Sequence, residues 1–313
     1  MKLSKFIFKL TGLLIILLAL YFCCSYFIID RYVDRYYHKF RYPAGSMVVG
    51  LSRSNFGISP EVLDQEFGDD EIAKPVLNFS FELYRSPYGS VYKKDIENKI
   101  AEGTTNGVFI VSVSPGSFLI PINSSEDDVD KLDEDTMLGK MDYVNVDPNF
   151  EYMVKCYANP LYKGIVFWPK NDVVVTHDNG WIEFREGTST YEITEKMVDK
   201  WSEETLISYK KILVGQKISI ARLKAFEDTV LMLKEYGKVY VVRTPVLKDV
   251  LDFETEFWPE MNSQIDSIAN KVNVPYWDYT KDHSSYTYYD GSHLFSKSAE
   301  MFTRQLAMDI KKK

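Results

Sequence analysis

Apolar residues run almost unbroken from position 10 to 29, and nowhere else in the chain does such a run recur. At about 1.5 Å of rise per residue it is long enough for the roughly 30 Å hydrocarbon core of a bilayer, which predicts one transmembrane helix. Beyond it, short apolar runs alternate with amphipathic stretches. Runs at 47–51, 75–81 and 108–113 read as strands, and the third is rich in β-branched residues, as in a central parallel strand buried on both faces. Helices are predicted over 61–67, behind the start signal Ser59-Pro60, and over 90–101. Strand, helix, strand, helix, strand implies parallel βαβ units with right-handed crossovers.

The alternation fails between about 119 and 200. Residues 124–135 are acidic and read as an exposed loop or helix. Short strands are predicted at 166–169, 173–175 and 181–184, with Asp178-Asn179-Gly180 as a hairpin turn. This stretch reads as an insertion holding a small β-meander, a cap or rim near the carboxyl end of the third strand. Regularity then returns. A helix over 218–236 ends at Gly237, a strand covers 239–242, and a helix over 253–272 is interrupted at Pro259. A fifth strand at 274–279 and a helix over 296–311, capped by Ser296, complete the pattern. The predicted class is α/β: a three-layer α/β/α domain with a mostly parallel five-stranded sheet, a β-rich insertion, and one transmembrane helix in front.

The organisation expected is a cytoplasmic tail at 1–9, a signal-anchor at 10–29, a juxtamembrane stalk at 30–44 and the α/β domain at 45–313. A cleaved signal peptide is the competitor of the anchor, but no Ala-x-Ala-like site follows the apolar run. Phe22 ahead of Cys23 argues against a lipoprotein signal. The short tail in front of a large domain places the domain outside the membrane, although Arg31, Arg35, Lys39 and Arg41 blur the charge asymmetry. The tyrosine- and arginine-rich stalk reads as a helical continuation, or as a helix lying on the membrane surface.

Composition narrows the chemistry. With 37 Lys and Arg against 45 Asp and Glu, the net charge of −8 argues against a nucleic-acid binder. The three terminal lysines read as a solvated end. Of three cysteines, Cys23 and Cys24 lie in the apolar run, so Cys156 has no soluble partner for a disulfide, and no Cys/His spacing suits zinc. No metal or cofactor is expected.

Ser52 stands on the turn leaving the first strand, at the carboxyl end of the sheet, where open α/β sheets place their ligands. Near the other end of the chain is Asp290-Gly291-Ser292-His293. At a spacing of three, Asp290 can hold one imidazole nitrogen of His293 and leave the other free to deprotonate a serine. A Ser52–His293–Asp290 triad follows as the expectation. Taken alone, Ser52 reads as a helix cap, and Ser54 is the alternative nucleophile. Arg53 reads as a contact to an acidic substrate group or as a surface salt bridge. Arg243, at a strand end, faces the site or a packing partner. His177 reads as a hairpin-tip residue, and His38 and His283 have no supporting neighbours.

Gly50-Leu51-Ser52 and Asp290-Gly291-Ser292-His293-Leu294 resemble the two end blocks of the SGNH (GDSL-like) hydrolase superfamily. The similarity is greatest to membrane-anchored extracytoplasmic members, such as proteins of D-alanyl-lipoteichoic acid transfer and of alginate O-acetylation. The resemblance implies a flavodoxin-like sheet and a serine esterase or O-acyltransferase (O-acetyltransferase included) at a bacterial cell membrane. It implies an acylated envelope polysaccharide as substrate and a membrane acyltransferase as partner. Three departures touch the oxyanion hole. Leu51 replaces the family's Asp, Asn78-Phe79-Ser80-Phe81 lacks its glycine, and Ser112-Val113-Ser114-Pro115 replaces its Gly-x-Asn-Asp block. Candidate oxyanion or substrate donors are therefore the Ser52 backbone N–H, Ser114, Gly116, Asn78 and Arg53. The departures also suit a different class of protein, a catalytically silent domain that binds or scaffolds an envelope assembly.

Overall fold

Strands whose side chains are apolar on both faces need helices on both sides, and that requirement shapes the domain. The computed structural model of the chain describes residues 2–160 and 173–313. Its first elements are α1 (Lys2–Ile29), β1 (Ser46–Gly50), α2 (Ser52–Gly57), α3 (Pro60–Glu66), β2 (Val76–Ser80), α4 (Ser90–Lys99) and β3 (Gly107–Ser112). An excursion follows with β4 (Leu119–Pro121), α5 (Val129–Glu134), α6 (Phe150–Lys155), β5 (Val174–Thr176), β6 (Ile182–Phe184), α7 (Glu195–Val214) and β7 (Gln216–Ile218). The alternation resumes with α8 (Ile220–Lys234), β8 (Gly237–Arg243), α9 (Lys248–Phe257), α10 (Met261–Lys271), β9 (Tyr276–Asp278) and α11 (Ser296–Lys311).

The central sheet is parallel throughout, in the order β2-β1-β3-β8-β9. The chain leaves β1 towards β2 and returns to β3 on the opposite side. That reversal opens a crevice at the carboxyl ends of β1 and β3. Alternate side chains feed two cores. Met47, Val49, Phe109, Val111 and Val241 join Ile96 of α4, Phe226 and Val230 of α8, and Ile265 of α10. Val48, Ile110, Tyr240 and Val242 join Ala299, Phe302, Leu306 and Ile310 of α11, which recur at helical spacing.

The expected α/β class and five-stranded sheet are present, and several details differ. The helix expected over 253–272 is two helices, α9 and α10, parted around Pro259, which cannot continue a helix interior. Phe295, not Ser296, caps α11; Ser296 Oγ instead donates to Glu186 Oε2 at 3.1 Å. The excursion extends to 218, because β4 and β7 pair antiparallel and close it on itself. Its described part holds one antiparallel hairpin, β5–β6, with the turn at Asp178-Asn179-Gly180. The strand expected at 166–169 lies outside the described residues. Helix α7 was not anticipated, and it has no fully buried residue.

The segment expected as a stalk is instead part of the domain. Tyr36, Tyr37 and Phe40 are buried in the same core as Phe79, Phe81 and Tyr152, because their rings fill an apolar face that β2 and α6 leave open. Asp34 fixes the turn by accepting from the backbone N–H groups of Tyr36 (2.9 Å) and Tyr37 (3.1 Å) and from Tyr152 OH (2.7 Å). Helix α1 is long and apolar enough to cross a membrane, a property that signal sequences share. The helix runs from Lys2, and its last turns touch the domain: Ile28 is buried and Tyr21 OH donates to Met153 O at 3.3 Å.

Lys39 is fully buried in this region, and its Nζ donates to Asn55 Oδ1 (3.0 Å), Asn78 O (2.6 Å) and Gly180 O. All three are neutral oxygens. Burial, and then the charge of Lys99, push the Lys39 amine well below its ordinary pKa. The folded chain therefore binds fewer protons than the unfolded chain from that depressed value up to about 10.4, and stability rises with pH across the window. Lys39→Met is expected to shrink the rise in Tm between pH 6 and pH 9, whatever its effect on Tm at either pH. An unchanged rise in the variant would show that Lys39 is not the group responsible.

Candidate active site

Strand β1 ends at Gly50, which has φ of +148°. A Cβ there would fall 2.6 Å from Ser54 Oγ and 2.8 Å from Ser112 Cβ, so only glycine lets the chain turn into α2 this close to β3. The corner is pinned on both sides. Gly50 N–H donates to Tyr92 OH (3.0 Å), and Gly50 O accepts from Ser86 Oγ (2.7 Å) and Phe81 N–H (3.2 Å). Ser52, half-buried, is the first residue of α2.

The loop between β9 and α11 brings His293 to it. His293 Nε2 lies 2.7 Å from Ser52 Oγ across 241 positions of sequence. His293 Nδ1 lies 2.8 Å from Asp290 Oδ2 and 3.0 Å from Oδ1. Oδ1 also accepts from the backbone N–H groups of Ser292 (3.1 Å) and His293 (2.9 Å), and Thr205 Oγ1 donates to Oδ2 at 3.4 Å. Burial opposes ionisation of Asp290, but His293 and these N–H donors outweigh it and hold the carboxyl below the usual carboxylate range. An ionised Asp290 makes Nδ1 the protonated nitrogen, which leaves Nε2 as the acceptor facing the Ser52 hydroxyl. Phe56 and Tyr289 flank the imidazole with ring centres 5.3 and 5.5 Å away, and Phe184 of β6 stacks on Tyr289 at 3.9 Å.

A second polar network lies behind the loop. Arg53 is buried, so a surface salt bridge does not describe it; it lines the cleft beside Ser52, and its Nη1 has no hydrogen-bond partner among the described residues. Its Nε donates to Ser292 Oγ (3.0 Å) and its Nη2 to Glu254 Oε1 (2.5 Å). Arg243 Nη2 donates to Glu254 Oε2 at 2.8 Å, and Tyr209 OH lies 2.8 Å from Ser292 Oγ. Burial disfavours the Glu254 charge, but the two guanidinium groups overcome it and keep its pKa low. Glu254, Thr205 and Tyr209 were not found from sequence. The last two stand on α7, itself unanticipated.

The remaining candidates separate. Asn78 is fully buried, and its Nδ2 donates to Ser54 O (2.7 Å) and Ile58 O (2.9 Å) while its Oδ1 accepts from Ser80 N–H (3.1 Å). Its amide ties β2 to α2 and is not turned to the cleft. Ser54 is likewise buried, with Oγ 2.9 Å from both Leu51 O and Ser80 Oγ, which removes it as the alternative nucleophile. Ser114 and Gly116 do line a cleft with Ser52, Arg53 and Glu254, enclosing about 490 Å³ of empty space with its open mouth included. The Ser114 backbone N–H is engaged by Ser117 Oγ at 3.3 Å. A Cβ on Gly116 would lie 2.7 Å from Leu83 Cδ1 and 3.1 Å from Leu51 Cδ1, so glycine permits the close packing of that wall. Among the described residues, no group of three or more His, Cys, Asp and Glu side chains could hold a metal ion.

No protein-family model matches the chain, and no curated protein matches it. Among solved structures, the inhibitor-bound form of an aryl esterase from M. Smegmatis is similar with a TM-score of 0.36 and 11% identity, over 85% of this chain and 99% of that one. A likeness of that size carries no argument about the site, which rests on its own geometry.

Arg53→Ala leaves Glu254 half-paired and removes one of the partners of Ser292 Oγ, which keeps Tyr209 OH. Breaking a buried pair costs about 3–5 kcal/mol, and with Arg243 still in place the loss is expected near the lower end, about 3 kcal/mol. Arg53→Lys keeps the charge but loses the forked geometry, so it should fall between the two. Equilibrium unfolding of the three proteins checks this. A loss under about 1 kcal/mol in Arg53→Ala would show that the network contributes little.

Proposed function

We propose that this chain is a membrane-tethered serine acyl-transfer enzyme, an esterase or O-acyltransferase, in which Ser52 is the nucleophile, His293 the general base and acid, and Asp290 the group that orients it. The observation that carries the reading is the 2.7 Å approach of Ser52 Oγ to the imidazole nitrogen opposite Asp290. Ser52 Oγ attacks an ester carbonyl and passes its proton to His293 Nε2. The bond to the leaving alkoxide breaks, and the alkoxide takes that proton. A water or sugar hydroxyl then attacks the acyl-serine, gives its proton to His293, and Ser52 leaves with it. The Ser52 backbone N–H, at the start of α2, supplies one oxyanion donor, a contribution of roughly 2.7–4 kcal/mol when such a donor is well placed. The resemblance of the two end blocks to SGNH enzymes of the cell envelope, together with the apolar helix α1, supports an acylated envelope polysaccharide as substrate, a membrane acyltransferase as partner, and an extracytoplasmic domain.

One set of observations favours a second reading, a silent binding or scaffold domain. Asn78 and the Ser114 backbone N–H, both candidates for the oxyanion hole, are engaged elsewhere. A serine-directed fluorophosphonate probe separates the two. Labelling of the wild type that disappears in Ser52→Ala and in His293→Ala is the expected result; a folded wild type that takes no label supports the scaffold. Asp290→Asn should retain the fold and lower kcat by roughly 10³–10⁴, because the imidazole loses its tautomer control.

A further inference from the structure

The cleft beside Ser52 is walled mainly by hydrocarbon. Leu51, Leu83, Leu119, Ile212, Leu213 and Phe253 surround it, and the two charged groups on its wall, Arg53 and Glu254, are paired with each other. An acetyl group presents a single methyl and would touch little of this surface. Leu83, Ile212, Leu213 and Phe253 are only half-buried, which leaves apolar surface beside the serine that an occupant would finish burying.

Resting on the Ser52 reading above, we propose that the group carried on the serine is an apolar acyl chain longer than acetyl, bound between the β1–α2 corner and the carboxyl-terminal end of α7. Leu51 and Leu83 form the floor against Gly116, while Ile212 and Leu213 form the wall that sets chain length. The segment leaving α1 reaches the same end of the sheet, since Arg35 lies 3.6 Å from Glu82, the neighbour of Leu83. The ester therefore comes from solution or from the membrane to which α1 would hold the domain.

The test is a chain-length series. The full chain in lipid nanodiscs is assayed with p-nitrophenyl acetate, butyrate, hexanoate and octanoate, alongside Ser52→Ala and Ile212→Trp. Full burial of one methylene corresponds to about a fourfold gain, so the Ser52-dependent kcat/KM should rise with length, by up to about sixteenfold at a two-carbon step. Ile212→Trp fills the wall and should lower the octanoate-to-acetate ratio at least tenfold. Ser52-dependent turnover that is flat or falls with length overturns the acyl pocket and leaves the nucleophile standing. Should no ester be turned over, the nucleophile reading fails and binding decides the pocket. A Tm raised by octanoate but not by acetate, and not raised in Ile212→Trp, supports it; no octanoate effect overturns it. Octanoyl glyceride in vesicles, compared with the soluble octanoyl ester, distinguishes a membrane source from a soluble one, and turnover of either supports the pocket.

Discussion

A helix of six residues cannot hold a serine in place by itself, since helix formation this short is unfavourable without outside contacts. The site depends on the grip that the rest of the domain has on α2. Asn78 of β2 holds the carbonyls of Ser54 and Ile58, Lys39 holds the Asn55 side chain, and the Trp181 indole of the hairpin donates to Phe56 O at 2.9 Å. Three parts of the chain, far apart in sequence, thus satisfy backbone and side-chain groups of one short helix. Left unpaired at this depth, each such group would cost roughly 1–3 kcal/mol. Lys39 adds a further constraint, because the same amine binds Asn78 O and Gly180 O and so couples the strand to the hairpin turn.

The loop that carries His293 is held by charge rather than by apolar packing alone. Two buried carboxylates flank it, and each is compensated in its own way. Asp290 is met by the imidazole and by backbone N–H groups of its own turn, Glu254 by two guanidinium groups. Arg53 belongs to α2 yet also donates to Ser292 of the loop. It therefore links the element that carries Ser52 to the element that carries His293 by a route separate from the Ser52–His293 contact. Removing a buried charge partner leaves an uncompensated charge, so the linkage resists piecemeal change even where an all-apolar replacement would be as stable.

The strands and most helices were legible because burial on both faces of a sheet imposes unbroken apolar runs, and burial on one face of a helix imposes periodicity. The ends of β1 and α11 were visible for that reason, and with them the positions of Ser52 and the Asp290–His293 turn. Polar groups whose role is to satisfy other polar groups leave no such trace. Asn78 stood where a donor to the site was expected, and only the fold shows its amide turned to α2. Glu254 sits on a helix like any other acid until Arg53 and Arg243 close on it. Helix α7 also escaped expectation, and none of its residues is fully buried.

The shallow burial of α7 has a structural consequence. The excursion is not an appendage to a finished site, since β6 places Phe184 on Tyr289 and α7 places Thr205 on Asp290 and Tyr209 on Ser292. The same helix ends in Ile212 and Leu213, on the wall of the cleft. An element with few deeply buried side chains sits at the low end of local stability. The placement of α7 therefore bears on both halves of the site, the contacts around the Asp290–His293 turn and the wall beside Ser52.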